Sequence, residues 1–275
     1  MKTINTLIDD IYNVLDKGAE PTEKYVKELS DNLSKIIADT IRNYQKERKG
    51  TLRMSNVGRP CTRQLWYEAN GEKGEDLPPP LKLRFMYGNV VEEILLYLAK
   101  EAGHTVTHEQ EEVELHGIKG HMDAVIDDVV VDVKSASSYA FNKFKDGTLA
   151  DNDSFGYIAQ ISGYAKALNK NQGAFLAMDK NSGELALLKV NTDIMDIDEK
   201  VKTVKALVNS PELPSRSFRP EPDGMSGNMK LGSSCRYCGF KRSCYPEVRA
   251  FKYSNGMKYL TKVVKVPNVE EVKDF

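Results

Sequence analysis

Apolar residues recur at helical spacing from residue 3 to 17, at Ile4, Leu7, Ile8, Ile11 and Leu15. They do so again over residues 22–48, at Leu29, Leu33, Ile36, Ile37 and Ile41. Lys17-Gly18 closes the first helix, and Pro21 with Thr22 opens the second. The pair reads as a helical extension, residues 1–50, peripheral to the main domain. Pro60-Cys61 leads into a short helix, TRQLWYEA. Its Trp66 is a core residue first and a base-stacking platform second. Residues 71–80 form a loop ending in three prolines. A strong helix follows over 81–102, with Leu83, Met86, Val90, Val91, Ile94, Leu95 and Leu98 as its buried stripe. Glu92 and Glu93 sit in its middle, and Gly88, one turn before Glu92, implies a close approach by a neighbour.

The pattern then switches to strands, from about 104 to 116 and through Gly120–Ser137, GHMDAVIDDVVVDVKSAS. Val and Ile dominate its two runs, and Asp127-Asp128 suits a two-residue turn because Asp tolerates positive φ. Closing the hairpin there sets Ile126 opposite Val129. Counting back, Asp123 then faces Asp132 and His121 faces Lys134. Facing side chains have Cβ atoms about 5 Å apart, so the two carboxylates repel unless a positive charge sits between them. A divalent cation with oxygen ligands would supply it. The competing reading is a solvated hairpin with acids on its wet face. Residues 154–168 return to helix, with Gln160 and Tyr164 one turn apart on one face. Two strands, QGAFLAMD and ELALLKV, flank a tight turn, and 193–209 is helical. Residues 211–234 read as an extended connection, and 251–275 as a partly mobile basic tail.

Composition narrows the classes. The chain has 275 residues, 40% hydrophobic, with 39 basic against 40 acidic side chains. Any nucleic-acid surface must therefore be local. No apolar run approaches membrane-spanning length, and acids interrupt the N-terminal stretch where a signal peptide is apolar. The expectation is a cytoplasmic protein with no membrane partner. Local charge is uneven. Arg42, Lys46, Arg48, Lys49, Arg53, Arg59 and Arg63 face only Glu47, which makes residues 42–63 a strip suited to phosphates, or a solvated face.

The chain has four cysteines, Cys61, Cys235, Cys238 and Cys244. In a reducing compartment, clustered Cys are more often metal ligands than disulfides. Four thiolates suit an iron–sulfur cluster or tetrahedral zinc. Structural zinc sites usually draw on two paired hooks, and the three-plus-one split here favours a [4Fe–4S] cluster over Zn²⁺. A redox CxxC with two unrelated buried Cys is the blander alternative. A shared site would tie distant parts of the chain together and join the 42–63 strip to the basic surroundings of Cys235–Cys244.

Taken in order, these residues resemble the RecB-like branch of the PD-(D/E)XK nuclease superfamily. They are similar to the CRISPR-associated iron–sulfur exonucleases (the fourth Cas family) and their phage relatives. The motifs are Gly88-Asn-Val-Val-Glu92, Gly120-His-Met-Asp123, Asp132-Val133-Lys134, Gln160-Ile-Ser-Gly-Tyr164, and Cys61 with C-x2-C-x5-C. The resemblance spans roughly residues 55–250. Met122 stands where the family name has Pro, Asp132 where many members have Glu, and Glu92 where CRISPR-type members have His.

The resemblance implies an α/β fold, with a restriction-endonuclease-like mixed central sheet flanked by helices, over residues 51–250. It implies a metal-dependent deoxyribonuclease that cleaves DNA from a single-stranded or duplex end. Asp123, Asp132, the Val133 carbonyl and Glu92 would hold Mg²⁺ or Mn²⁺. Lys134 would orient the attacking water or neutralise the scissile phosphate, with Gln160 and Tyr164 near the strand. The four cysteines would hold the cluster. An endonuclease, or a non-catalytic DNA-binding module with a four-cysteine zinc site, is the alternative. Protein partners would come from recombination, repair, replication or CRISPR adaptation, in a bacterial, archaeal or phage-infected cell.

Overall fold

The computed structural model describes residues 2–18, 20–42, 52–273 and 275. Helix α1 (Leu7–Lys17) is followed by α2 (Glu23–Ile41), α3 (Thr62–Ala69) and α4 (Pro79–Glu101). Strands β1 (Val106–Thr107), β2 (Glu112–Leu115), β3 (Ile118–His121), β4 (Ala124–Ile126) and β5 (Val129–Ala136) come next. Helices α5 (Ser138–Lys145) and α6 (Tyr157–Ala167) precede β6 (Gln172–Asp179), β7 (Leu185–Asn191) and α7 (Ile197–Val208). The chain ends with β8 (Glu221–Pro222), β9 (Met229–Lys230), α8 (Ser233–Arg236), α9 (Lys241–Cys244), β10 (Arg249–Tyr253), β11 (Gly256–Lys262) and β12 (Glu271–Val272). No helix is long and apolar enough to cross a membrane among the described residues. Two compact units emerge. One takes Met1–Arg48, Arg53–Gly58 and Pro78–Lys202; the other takes Lys49–Leu52, Arg59–Leu77 and Thr203–Phe275.

The first unit is a mixed α/β layer structure. Its sheet runs β1-β4-β5-β6-β7, with β5 and β6 parallel and the other pairs antiparallel. A parallel pair needs a crossover, and α5 and α6 supply it. One face of the sheet packs Val131, Val133, Ala174 and Leu176 against Val91, Leu95 and Leu96 of α4 and Leu7 and Ile11 of α1. Burying a Leu or Ile contributes about 1.5–3 kcal/mol. Helix α1 is therefore part of this core rather than a peripheral extension, whereas α2 has no buried residue. The other face carries Phe175, against which Phe144 of α5 and Tyr157 of α6 pack.

The hairpin turn at Asp127-Asp128 forms as expected. Both residues have positive φ, at 47° and 70°, and Ile126 pairs with Val129. The Asp127 carboxylate is itself fixed, with Oδ2 2.6 Å from His104 Nδ1 and Oδ1 accepting from the Thr105 amide. The register holds through Ala124↔Val131. It does not extend to His121, which belongs to β3 and pairs with Glu112 in a separate two-stranded ribbon. The expected pairing of His121 with Lys134 is thus corrected. A turn at His116-Gly117, with φ of 50° and 76°, folds β3 back on β2 and takes it out of the central sheet. The strands expected from about 104 to 116 are β1 and β2.

Two other expectations change. The second helix ends at Ile41, and residues 43–48 of the expected span lie outside the described residues. Gly88 is not at a close approach, since a Cβ there would meet only Ser135 Oγ at 3.8 Å, an ordinary contact. The tight approach is instead between Gly58 and Gly156. A Cβ on Gly156 would lie 2.2 Å from the Gly58 carbonyl carbon, and Gly156 has φ of 79°. Two backbones in contact cannot relax by rotating a side chain. Gly156→Ala is expected to destabilise the protein by about 3 kcal/mol, read as a lowered midpoint in urea unfolding, while Gly88→Ala leaves the midpoint within about 0.5 kcal/mol or raises it.

The second unit contains a five-stranded sheet of order β12-β10-β11-β9-β8. Residues 251–275, expected as a mobile basic tail, supply most of it. Phe251 and Leu260 are fully buried, and Ser254-Asn255 form the two-residue loop between Tyr253 and Gly256. Trp66 of α3 is half-buried, and its indole N–H donates to the Ser210 carbonyl at 2.8 Å, in keeping with a packing role.

Candidate active site

The described site lies where β4 and β5 meet α4 and α6, all within the first unit. Asp132 is on the central strand β5, its side chain only 1% exposed. It forms an ion pair with Lys134, two residues along the same strand face. Its other oxygen, Oδ1, is buried with no hydrogen-bond partner. A buried carboxylate oxygen left unpaired is costly and calls for a function. Asp123, just before β4, has Oδ2 accepting from the Val133 amide at 2.7 Å. That bond fixes its direction across the strand pair. Glu92 enters from the middle of α4, and its Oε1 accepts from the Gln110 side-chain amide.

The electrostatics of the group are unusual. Burial, then the charges of Asp132 and Glu92, raises the Asp123 carboxyl well above the ordinary carboxylate range. Burial, then Asp132 and Glu93, pushes Glu92 up to about 7. Burial opposes the charge on Lys134, but Asp132 and Asp123 outweigh it and hold the ammonium above the usual lysine range. Three carboxylates thus share one lysine. The Lys134 Nζ also sits 4.5 Å from the centre of the Tyr157 ring.

Gln160 and Tyr164 come together one turn apart on α6, the Gln160 amide 3.4 Å from the Tyr164 hydroxyl. Both are buried, Tyr164 to 1% exposure, so neither side chain opens onto solvent. Tyr164 is pushed up to about 12, by burial first, with the Asp132 and Asp123 charges adding to it. A Cβ on Gly120 would come 2.7 Å from the Tyr164 ring, so a small residue there lets the ring lie beneath β3. Tyr157 was not singled out in the sequence, although it lies three residues before Gln160 at the start of α6. His121 is exposed and 3.9 Å from Glu112, apart from this group.

The side chains brought together here suit a hard divalent ion, since they are carboxylates, one oxygen being buried and unpaired. Among the described residues, no group of three or more His, Cys, Asp or Glu side chains is arranged to hold a metal ion as it stands. Here the Asp132 carboxylate is turned to Lys134.

The four cysteines fall in the second unit, all as free thiols. Cys61 caps the start of α3, Cys235 lies in α8, Cys244 ends α9, and Cys238 sits between, its amide donating to the Cys235 carbonyl. Together they line one recess with Tyr67 and Phe240, whose rings stack at 5.4 Å. Burial, then the neighbouring sulfurs, pushes Cys235 up to about 12; burial also leads at Cys238, pushed up to about 11. Cation binding to soft sulfur ligands would relieve such crowding. The guanidinium of Arg63 donates to Cys244 Sγ at 3.7 Å, and Arg216 donates to the Cys244 carbonyl at 2.6 Å.

The expected phosphate strip is only partly described, since Lys46, Arg48 and Lys49 lie outside the described residues. Of the remainder, Arg59 is paired with Glu68, and Arg63 donates to the Pro214 carbonyl at 2.7 Å. These two arginines are engaged within their own unit.

No protein-family model matches the chain, and no curated protein matches it in sequence. Its likenesses among solved structures are distant. The alkaline exonuclease LHK-Exo of Laribacter hongkongensis is 14% identical with a TM-score of 0.43, the match covering 58% of this chain and 89% of that one. SSO0001 is 17% identical with a TM-score of 0.40, covering 77% of this chain and 93% of that one. A phage related exonuclease from Haemophilus somnus 129PT is 15% identical with a TM-score of 0.41, covering 57% and 90%.

Proposed function

We propose that this protein is a metal-dependent DNA exonuclease of PD-(D/E)XK type. The observation that carries the reading is the buried Asp132 with an unpaired oxygen, crowded by Asp123 and Glu92 and balanced by Lys134. The residues follow the order of the motifs on which the resemblance rests, with Met122, Asp132 and Glu92 departing from the commoner family residues. Asp123, Asp132, Glu92 and the Val133 carbonyl would hold Mg²⁺ or Mn²⁺. The ion, when bound, supplies Lewis-acid polarisation of the phosphate and a more acidic water.

The chain's own groups do the rest. The Val133 amide orients Asp123. Lys134 Nζ, released from Asp132, neutralises charge building on the scissile phosphate. Glu92, from α4, completes the crowded carboxylate set whose mutual repulsion a divalent ion would relieve. Gln160 and Tyr164 support this arrangement from the interior side. The four cysteines, in this reading, hold a [4Fe–4S] cluster; tetrahedral zinc is the alternative that four thiols sharing one recess equally permit.

The test is incubation with DNA labelled at either end, single- and double-stranded, with Mg²⁺, Mn²⁺ or EDTA. The expected result is metal-dependent release of short products from an end. Cleavage of closed circular DNA at the same rate would assign an endonuclease instead. Binding without cleavage under any metal would assign a non-catalytic module.

A further inference from the structure

Phe155 is an aromatic side chain with no structural reason to face water. It is 63% exposed, at the tip of the turn leading into α6. A solvated Phe usually withdraws or sits in a mobile loop, yet this turn is pinned. Asp153 accepts three backbone N–H bonds at 2.8–2.9 Å, from Gly156, Tyr157 and Ile158. The ring lies face to face on Tyr157, with centroids 5.3 Å apart and planes within 20°. Tyr157 is in turn backed by Phe144 and Phe175 from the core. The Lys134 ammonium stands 4.5 Å from the centre of the Tyr157 ring. One aromatic column therefore runs from the core, past the lysine that faces the scissile phosphate, to an open ring face in solvent.

We propose that Phe155 is a nucleobase-stacking platform, which receives an unpaired base of the substrate strand next to the phosphate at Lys134. This inference rests on the nuclease reading above and specifies its substrate as an unpaired DNA end. A base already paired and stacked within a duplex has no free face to offer, whereas a single-stranded or frayed end does. Stacking on an aromatic ring is tolerant of sequence, because every base has a π-face. Tyr157 positions both the platform and Lys134. Phe155 binds but does not take part in the chemistry.

The test uses the full-length protein and single-stranded DNA with 2-aminopurine at the terminal position, titrated in EDTA so that binding is read without cleavage. A second label on the phosphate backbone reports binding by anisotropy. In the wild type, 2-aminopurine fluorescence should fall on binding. Phe155→Ala should lose that quenching and bind about tenfold more weakly. Phe155→Trp should restore both, and DNA with an abasic end should bind wild type and Phe155→Ala alike. Equal quenching and equal affinity for wild type and Phe155→Ala on the base-bearing DNA would overturn the platform. Metal-dependent cleavage, scored separately on end-labelled DNA, would then still stand. If the wild type shows no anisotropy change at all, the platform falls, and the nuclease reading falls only if end-labelled DNA is also left uncut with Mg²⁺ and Mn²⁺.

Discussion

Asp132→Ala and Lys134→Ala should each lower metal-dependent DNA cleavage by at least about 10³-fold. In the first, the buried carboxylate with the unpaired oxygen is gone. In the second, the lysine that three carboxylates share is gone. The loss must be separated from misfolding, and Asp123→Asn makes that separation. An Asn Oδ1 can still accept the Val133 amide bond while one of the repelling charges disappears. Asp123→Asn is therefore expected to be inactive yet more stable than wild type in EDTA, by roughly 1 kcal/mol, or about 2–4 °C in Tm. A variant that is both inactive and destabilised would point to a structural role for the group. Full activity of Lys134→Ala, where EDTA stops the wild type, would sink the assignment.

The same charge crowding sets a pH dependence. Glu92 is raised from 4.5 to about 7 in the folded chain, and Asp123 is raised as well. Between those values the folded state holds more protons than the unfolded one. Stability in EDTA should accordingly fall as pH rises from 4.5 to 7, which is the sign linkage requires for a raised carboxyl. Glu92→Gln should flatten that slope, as measured by urea midpoints across the range.

The second large effect concerns the thiols. Protein purified without oxygen should contain close to four iron atoms per chain and absorb near ~400 nm. Cys238→Ala should lose the iron and the colour. If the thiols hold a metal as proposed, it should also destabilise the second unit by several kcal/mol, since binding at such a site is coupled to folding. The reason is local: α8 and α9 are four residues each, too short to persist alone, and α3 begins at Cys61. One mol of zinc per chain and no colour would decide for a four-cysteine zinc site. Intact folding with neither metal would leave the four as buried free thiols, crowded but structural. The catalytic variants should keep the same metal content as the wild type, which tests the two sites independently.

Much of the first unit was legible because it depends on short-range pattern. The strand QGAFLAMD, the helix of α4 and the Asp127-Asp128 turn all follow from periodicity or turn chemistry. Helix α5 escaped because only Phe141 and Phe144 of its eight residues are buried, too few for a period to emerge. The C-terminal hairpin escaped for a different reason. Its two-residue loop is Ser254-Asn255, with Gly256 opening the next strand, but the lysines spread along the segment make it read as a tail. Lys258 pairs with Phe251 and lies two residues before the buried Leu260 on the same strand, so charge along the segment says nothing about which of its residues packing buries.

The hairpin around Asp123 and Asp132 shows where each kind of information stops. By itself the sequence determined the turn and the register from Ile126↔Val129 to Ala124↔Val131, which brings Asp123 and Asp132 to the end of the paired segment. Those are consequences of chain geometry over a few residues, with a side-chain period of two. Only the tertiary structure decided that β3 leaves the sheet at Asp123, so that His121 pairs with Glu112 instead of Lys134. Only it decided that Gln160 and Tyr164 are buried, and that Phe155 and Tyr157 carry an aromatic surface from the core to the lysine. Burial and charge coupling depend on which distant segments pack together, and no local pattern encodes that.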